Sequence, residues 1–135
     1  MSQQKKLIDE FVKTFSQLLK ACEKDVATQT EYMKLDHLKS LYRLCPHEEK
    51  FFIAQEKIWP LREMILDRDF EKLIQIDLEP LYSEDTIDET RELVADLMEI
   101  LKKKFKTLSL IRRDEYWDFL TKMLQCIAQY KHLTS

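Results

Sequence analysis

Residues 45 to 52 read CPHEEKFF. Cys45, His47, Glu48 and Glu49 set a thiol, an imidazole and two carboxylates within five residues. Such groups ligate metals and act as nucleophiles and proton carriers. Zinc sites of the common kind, however, draw their ligands from close pairs of cysteines or histidines. His37, His47 and His132 and the cysteines Cys22, Cys45 and Cys126 form no such pair. A Cys–His dyad needs an activated thiolate, which a nearby helix start favours, so Cys45 with His47 is one reading. The simpler one is structural. A residue before proline leaves helical geometry, so Cys45 ends one helix. Pro46 suits the first position of the next, where its missing N–H costs nothing. Glu48 and Glu49 then complement the positive end of the helix dipole. The stretch reads as a helix junction with Phe51 or Phe52 buried.

Other constellations fare no better as chemistry. Carboxylate-bridged di-iron bundles need a glutamate three residues before a histidine, and no histidine here has one. The acidic groups Asp67, Asp69 and Glu71, and Glu84, Asp85, Asp88 and Glu89, lack the central glycine of a calcium loop. There is no glycine anywhere in the chain. Phosphate-cradling loops and dinucleotide fingerprints are thereby excluded, because both need glycines where backbone meets phosphate. No catalytic, metal-binding or cofactor-binding residue is assigned, and no cofactor is expected.

Charge and aromatic residues are more informative. Lys102, Lys103, Lys104, Lys106, Arg112 and Arg113 place six bases and no acid between positions 102 and 113. The rest of the chain holds the other 16 of its 22 bases against all 25 acids. Lysines in a last helical turn complement its negative end, and a basic corner can also hold phosphate or nucleic acid. Such binding runs against a formal net charge of −3, since non-specific affinity comes from neutralising phosphates. The adjacent pairs Phe51–Phe52 and Tyr116–Trp117 cannot point the same way on a helix. One member of each should lie near the surface or at a helix seam. Together with Trp59, they nominate Phe51, Trp59, Tyr116 and Trp117 as interaction residues, because Trp and Tyr are favoured interface anchors.

The elements that position these residues are helices. With neither glycine nor asparagine, the usual occupants of left-handed turns are missing. Tight hairpins are therefore disfavoured, and helices should end at proline or by fraying. Leu7, Ile8, Phe11, Val12, Phe15, Leu18, Leu19, Cys22 and Val26 recur at helical spacing. Thr28 and Glu31 have capping-box spacing and open a second helix, with Met33, Leu35, Leu38, Leu41, Tyr42 and Leu44 inward, ending at Leu44. Pro60 restarts or kinks the third. A short helix is expected at Phe70 to Ile74, then a loop through Pro80 to Ser83. A helix from Thr86 carries Ile87, Val94, Leu97, Met98, Leu101 and Phe105. The last carries Trp117, Leu120, Leu124, Ile127 and Cys126 or Tyr130. The expected fold is all-α: a compact bundle of about five to six amphipathic helices without a sheet, one domain over 1–135. Three widely spaced cysteines are no disulfide framework, and no apolar run suggests a signal peptide or a membrane span. A reducing, intracellular setting is expected.

The stretches KIWPLREMILDRDFEKL and RRDEYWDFLTKML carry a family likeness. Through Trp59, Leu61, Arg62, Ile65, Arg68 and Asp69, then Trp117, Leu120 and Leu124, the chain resembles small uncharacterised all-α proteins of large nucleocytoplasmic DNA viruses. After Asp69 the family pattern is reduced to Phe70 alone. The resemblance implies a viral, non-enzymatic helical protein and supplies no catalytic residue. The residues and the resemblance together point to a protein-interaction or structural role, through a protein partner or self-association and without a membrane. Nucleic-acid or phosphate binding through 102–113 is the alternative. On the junction reading, His47→Ala changes stability by no more than about 0.5 kcal/mol, and stoichiometric zinc leaves the melting temperature unchanged. A zinc-dependent rise abolished by His47→Ala would establish a metal site instead.

Overall fold

Ser2 opens the first helix by accepting a hydrogen bond from the Lys5 N–H at 3.1 Å. This satisfies one of the amide donors that every helix start leaves open. The computed structural model describes residues 2–26, 28–78 and 93–134. Helix α1 spans Gln3–Lys24 and buries Ile8, Phe11, Val12, Phe15, Leu18, Leu19 and Cys22, the stripe expected from their spacing. Helix α2 spans Gln29–Leu44, with Thr28 as its cap accepting from the Glu31 N–H at 3.2 Å. It buries Leu35, Leu38 and Leu41 only. Met33 and Leu44, expected inside, are exposed. Helix α2 lies at the edge of the bundle, chiefly against α6 and α1, so a narrow stripe is all it needs.

The junction at 45–47 is as expected to within one residue. Cys45 turns extended at φ −85° and ψ 125° and ends α2. Pro46 is the cap of helix α3, His47–Ile58, rather than its first helical residue. Its carbonyl accepts from the Lys50 N–H at 3.0 Å. Pro60 sits in a 3-10 turn, Trp59–Leu61, that joins α3 to the short helix α4, Arg62–Leu66. Helix α5, Phe70–Gln75, is capped by the Asp69 side chain, which accepts from the Lys72 N–H at 3.1 Å.

The end of α4 corrects one inference from composition. Left-handed backbone was not expected in a chain without glycine, yet Arg68 has φ 50°. The Arg68 N–H donates to the Ile65 carbonyl at 3.2 Å and the Asp69 N–H to the Met64 carbonyl at 3.0 Å. This is the paired bonding of a Schellman helix end, normally built on glycine. The Arg68 guanidinium compensates by meeting Asp118 at 2.5 Å and Asp114 at 3.3 Å on the last helix.

Helix α6 is described over Leu93–Phe105 and α7 over Leu110–Thr134. The expected helix start at Thr86 and the loop through Pro80 to Ser83 lie outside the described residues. Val94, Leu97, Met98, Leu101 and Phe105 are all fully buried, as their phase requires. Among the described residues there is no strand, and five long amphipathic helices with two short ones form an all-α bundle. The longest helix, α7, packs along α1; α3 bridges α1 and α6; α4 closes on α7 and α5 on α6. Every one of these helices contributes to a single apolar cluster.

Phe51 joins three of them. Its ring meets Phe11 of α1 edge-on at 5.3 Å and Tyr130 of α7 at 4.8 Å. It has no exposed surface, so nothing around it can relax outward into solvent. Phe51→Ala is therefore expected to cost about 3–5 kcal/mol. Urea denaturation of the variant checks this, and a loss within the surface range of about 0.5 kcal/mol would contradict the packing.

Candidate interaction surface

The six bases of the 102–113 segment do not converge on a shared outward face. Lys104, at helical phase with Leu97 and Leu101, is buried. Its ammonium reaches the Glu31 carboxylate at 2.6 Å and donates to the Asp25 carbonyl. Arg112 pairs with Asp25 at 2.5 Å and with Glu115 of its own helix. Arg113 donates from Nε to the Phe105 carbonyl at 2.8 Å and lies over the Phe70 ring at 3.9 Å. Lys102 donates to the Ile76 carbonyl at 2.7 Å. Lys103 pairs with Glu99 at 3.4 Å. Lys106 is exposed. The segment is mainly used to tie α6 and α7 to the ends of their neighbours.

Asp25 is the centre of this arrangement, and sequence reading missed it. It follows α1 directly, and its own N–H donates to the Ala21 and Cys22 carbonyls. Its carboxylate receives the Tyr116 hydroxyl at 2.6 Å as well as Arg112. Burial opposes its charge, but the Tyr116 hydroxyl and the Arg112 guanidinium outweigh that and hold the carboxyl below its ordinary value. The Tyr116 phenol is pushed up, first by burial and then by the neighbouring Cys22 and Asp25. Burial pushes the Cys22 thiol up to about 12 and the Cys126 thiol to about 11. Both stay protonated at neutral pH, and a thiol is a poor nucleophile in that form.

The nominated aromatics divide sharply. Phe51 and Tyr116 are fully buried and Trp117 is 2% exposed, so these three are core residues and not interaction residues. Of the expectation that one of Tyr116 and Trp117 lies near the surface or at a helix seam, the surface alternative is corrected, and the seam is where Trp117 packs. Tyr116 reaches Asp25 at the end of α1, while Trp117 meets the Phe105 ring edge-on at 5.0 Å. Helix α7 packs against α1, α3 and α4, so it buries a wide arc rather than a stripe. For the other pair the expectation holds: Phe52 is the outward member, 46% exposed.

Phe52 and the half-buried Trp59 mark the apolar surface on the α3 side of the bundle, beside the C-terminal end of α7. The Phe52 ring meets Tyr130 at 5.8 Å. Trp59 carries two cations over its ring, Arg62 and Lys131, each at 5.0 Å. Shallow hollows of about 380 and 430 Å³ flank Phe52, one lined with Trp59, Pro60 and Lys131, the other with Pro46, Glu48 and Glu49. His47 is exposed and lines a hollow with Phe52 and Tyr130, and Cys45 is buried. Lys50, one residue before Phe51, is also buried, its ammonium 3.7 Å from the centre of the Tyr42 ring. Burial lowers its pKa. Its phase, three and four residues before Ile53 and Ala54, was the available signal.

Among the described residues, no group of three or more His, Cys, Asp or Glu side chains could hold a metal ion. No described helix is long and apolar enough to cross a membrane. Comparison with family models, with curated proteins and with solved structures finds no match to the chain.

The Asp25 cluster generates a pH prediction. A carboxyl whose folded pKa is depressed contributes stability that is whole above its ordinary value, 3.8, and is lost as pH falls through the folded value. Asp25→Asn removes that contribution and weakens the Tyr116 and Arg112 contacts, at a cost of about 1–3 kcal/mol near neutrality. Denaturation midpoints of both proteins should differ most at neutral pH and converge as pH falls below the ordinary carboxylate range. A gap that stays constant with pH would place the effect outside Asp25 ionisation.

Proposed function

We propose that the chain is a non-enzymatic helical protein-interaction or structural protein that works through the α3 face bearing Phe52 and Trp59. The observation that carries this reading is the exposure of Phe52 beside Trp59, with hollows on both sides, where its neighbour Phe51 is entirely buried. A helix that needs only one of two adjacent aromatic rings for its core gains nothing in folding from showing the other to water. Exposed aromatic residues in shallow pockets are favoured sites of protein contact. The reading is further supported against phosphate or nucleic-acid binding by the engagement of Lys104, Arg112, Arg113 and Lys102 with groups inside the bundle. An intracellular, viral setting, which the sequence resemblance implies, belongs to the same proposal.

Site-specific photo-crosslinking tests it. A photoreactive phenylalanine analogue replaces Phe52 in one version and the exposed Asp36 of α2 in another, and both are irradiated in expressing cells. A discrete protein adduct at position 52, several-fold above that at position 36 and reduced by Trp59→Ala, is the expected result. Equal or absent adducts at the two positions would overturn the assignment of this face.

A further inference from the structure

Residues 62–75 are joined to the bundle differently from the longer helices. Helices α4 and α5 are five and six residues long. Isolated helices shorter than about 12–15 residues are marginal in water, so both depend on what they pack against. Together they bury three side chains, Met64, Ile65 and Leu73, where α1 alone buries eight and α7 seven. Helix α2 also buries only three, but it runs for sixteen residues. It is further tied to α1 by the Tyr42 hydroxyl, which donates to the Val12 carbonyl at 3.0 Å.

Cations supply much of the remaining attachment. Arg68, in the turn between α4 and α5, meets Asp118 at 2.5 Å and Asp114 at 3.3 Å on α7. Arg113 of α7 lies over the Phe70 ring at 3.9 Å, and Lys102 of α6 donates to the Ile76 carbonyl at 2.7 Å. The turn itself works against these contacts. Arg68 has φ 50°, a left-handed conformation that any residue with a Cβ disfavours. On the other side of α4, Pro60 sits in the 3-10 turn Trp59–Leu61. It has no N–H to give to the backbone ladder, which makes that turn a natural pivot.

We infer that residues 62–75 form a strap, latched to α7 by Arg68 and able to open while the rest of the bundle stays folded. Proteins open in such cooperative units, and those with few buried apolar contacts open first. The latch is electrostatic and open to water: the side chains of Arg68, Asp114 and Asp118 are 39%, 66% and 61% exposed. Salt therefore screens it, since the Debye length falls from about 10 Å at 0.1 M to about 3 Å at 1 M. An exposed pair is weak by itself, but here two carboxylates share one guanidinium and together oppose a disfavoured turn. Opening lifts Met64, Ile65 and Leu73 off the α7 and α6 surfaces that α4 and α5 cover. The device converts a rise in ionic strength into exposure of apolar surface that the closed bundle hides. It stands whether or not the α3 face binds a partner.

Amide hydrogen exchange read by mass spectrometry tests the inference on the purified full chain, at low salt and at about 1 M salt. Wild-type amides in 62–75 are expected to exchange roughly tenfold or more faster than those in the middle of α1. Salt should widen that ratio. A double variant, Asp114→Asn with Asp118→Asn, removes both partners of Arg68 and leaves the turn and the buried side chains in place. It should speed exchange in 62–75 by roughly threefold to tenfold at low salt, as loss of two exposed pairs predicts. Exchange in α1 should be unchanged, and the variant should respond to salt less than wild type does. Residues 62–75 that exchange in step with α1 in wild type, at both salt levels, overturn the independent opening. A variant that speeds 62–75 and α1 equally, or neither, overturns the latch. Circular dichroism checks that the variant is folded. If it is not, the wild-type salt series decides: an increase confined to 62–75 supports the strap, and one shared with α1, or absent, overturns it.

Discussion

The carboxylate of Asp25 is where the bundle is fastened. Helix α1 ends there, and its C-terminal turn is a site of partial negative charge that favours cations. Lys104 from α6 and Arg112 from α7 arrive at that point, one at the backbone carbonyl of Asp25 and one at its side chain. Tyr116 adds a hydroxyl from the next turn of α7. Three helices far apart in sequence are thereby held at one end by charge-assisted hydrogen bonds, which are stronger and more directional than apolar contact. Lys104 extends the same knot to Glu31 and so to the first turn of α2. Apolar burial makes these helices collapse; the Asp25 cluster determines how they are registered against one another.

That use of charge shapes the surface. A run of six bases looks in one dimension like a landing site for phosphate. In three dimensions most of it faces carboxylates and carbonyls of the same chain. Outward lie Lys106 with Leu110 and Ile111 near one end of α7, Phe52 with Trp59 and the glutamates of α3 near the other, and Met33 and Leu44 on α2. The two ends differ because α7 is sunk into the bundle over its middle and emerges at both extremities.

The missing glycines left a subtler mark. A chain without glycine still needs a sharp exit from α4, and here Arg68 supplies it in the left-handed region. A non-glycine residue there costs about 1 kcal/mol or more. The residue chosen is one whose long side chain spans to α7 and meets two aspartates. Those exposed pairs are individually weak, yet they hold the turn against the same helix that carries the Leu110–Ile111 corner.

The sequence by itself determined the all-α class, the stripe of α1, the Thr28 cap, the short helix before Gln75 and the junction at Cys45–Pro46. Each depends on local rules: helical periodicity, capping side chains and the geometry before proline act over four residues or fewer. It also set Phe51 and Phe52 in different directions on the helix, so a narrow buried stripe takes only one of them. Only the tertiary structure decided which one. It likewise decided that Tyr116 and Trp117 are both buried, because the width of a helix's buried arc depends on how many neighbours surround it. Lys50 and Lys104 sat at apolar phase, and their burial was legible as an anomaly. Their partners were not, because the Tyr42 ring and Asp25 are brought to them by packing between helices, and no local spacing records which helix ends will meet.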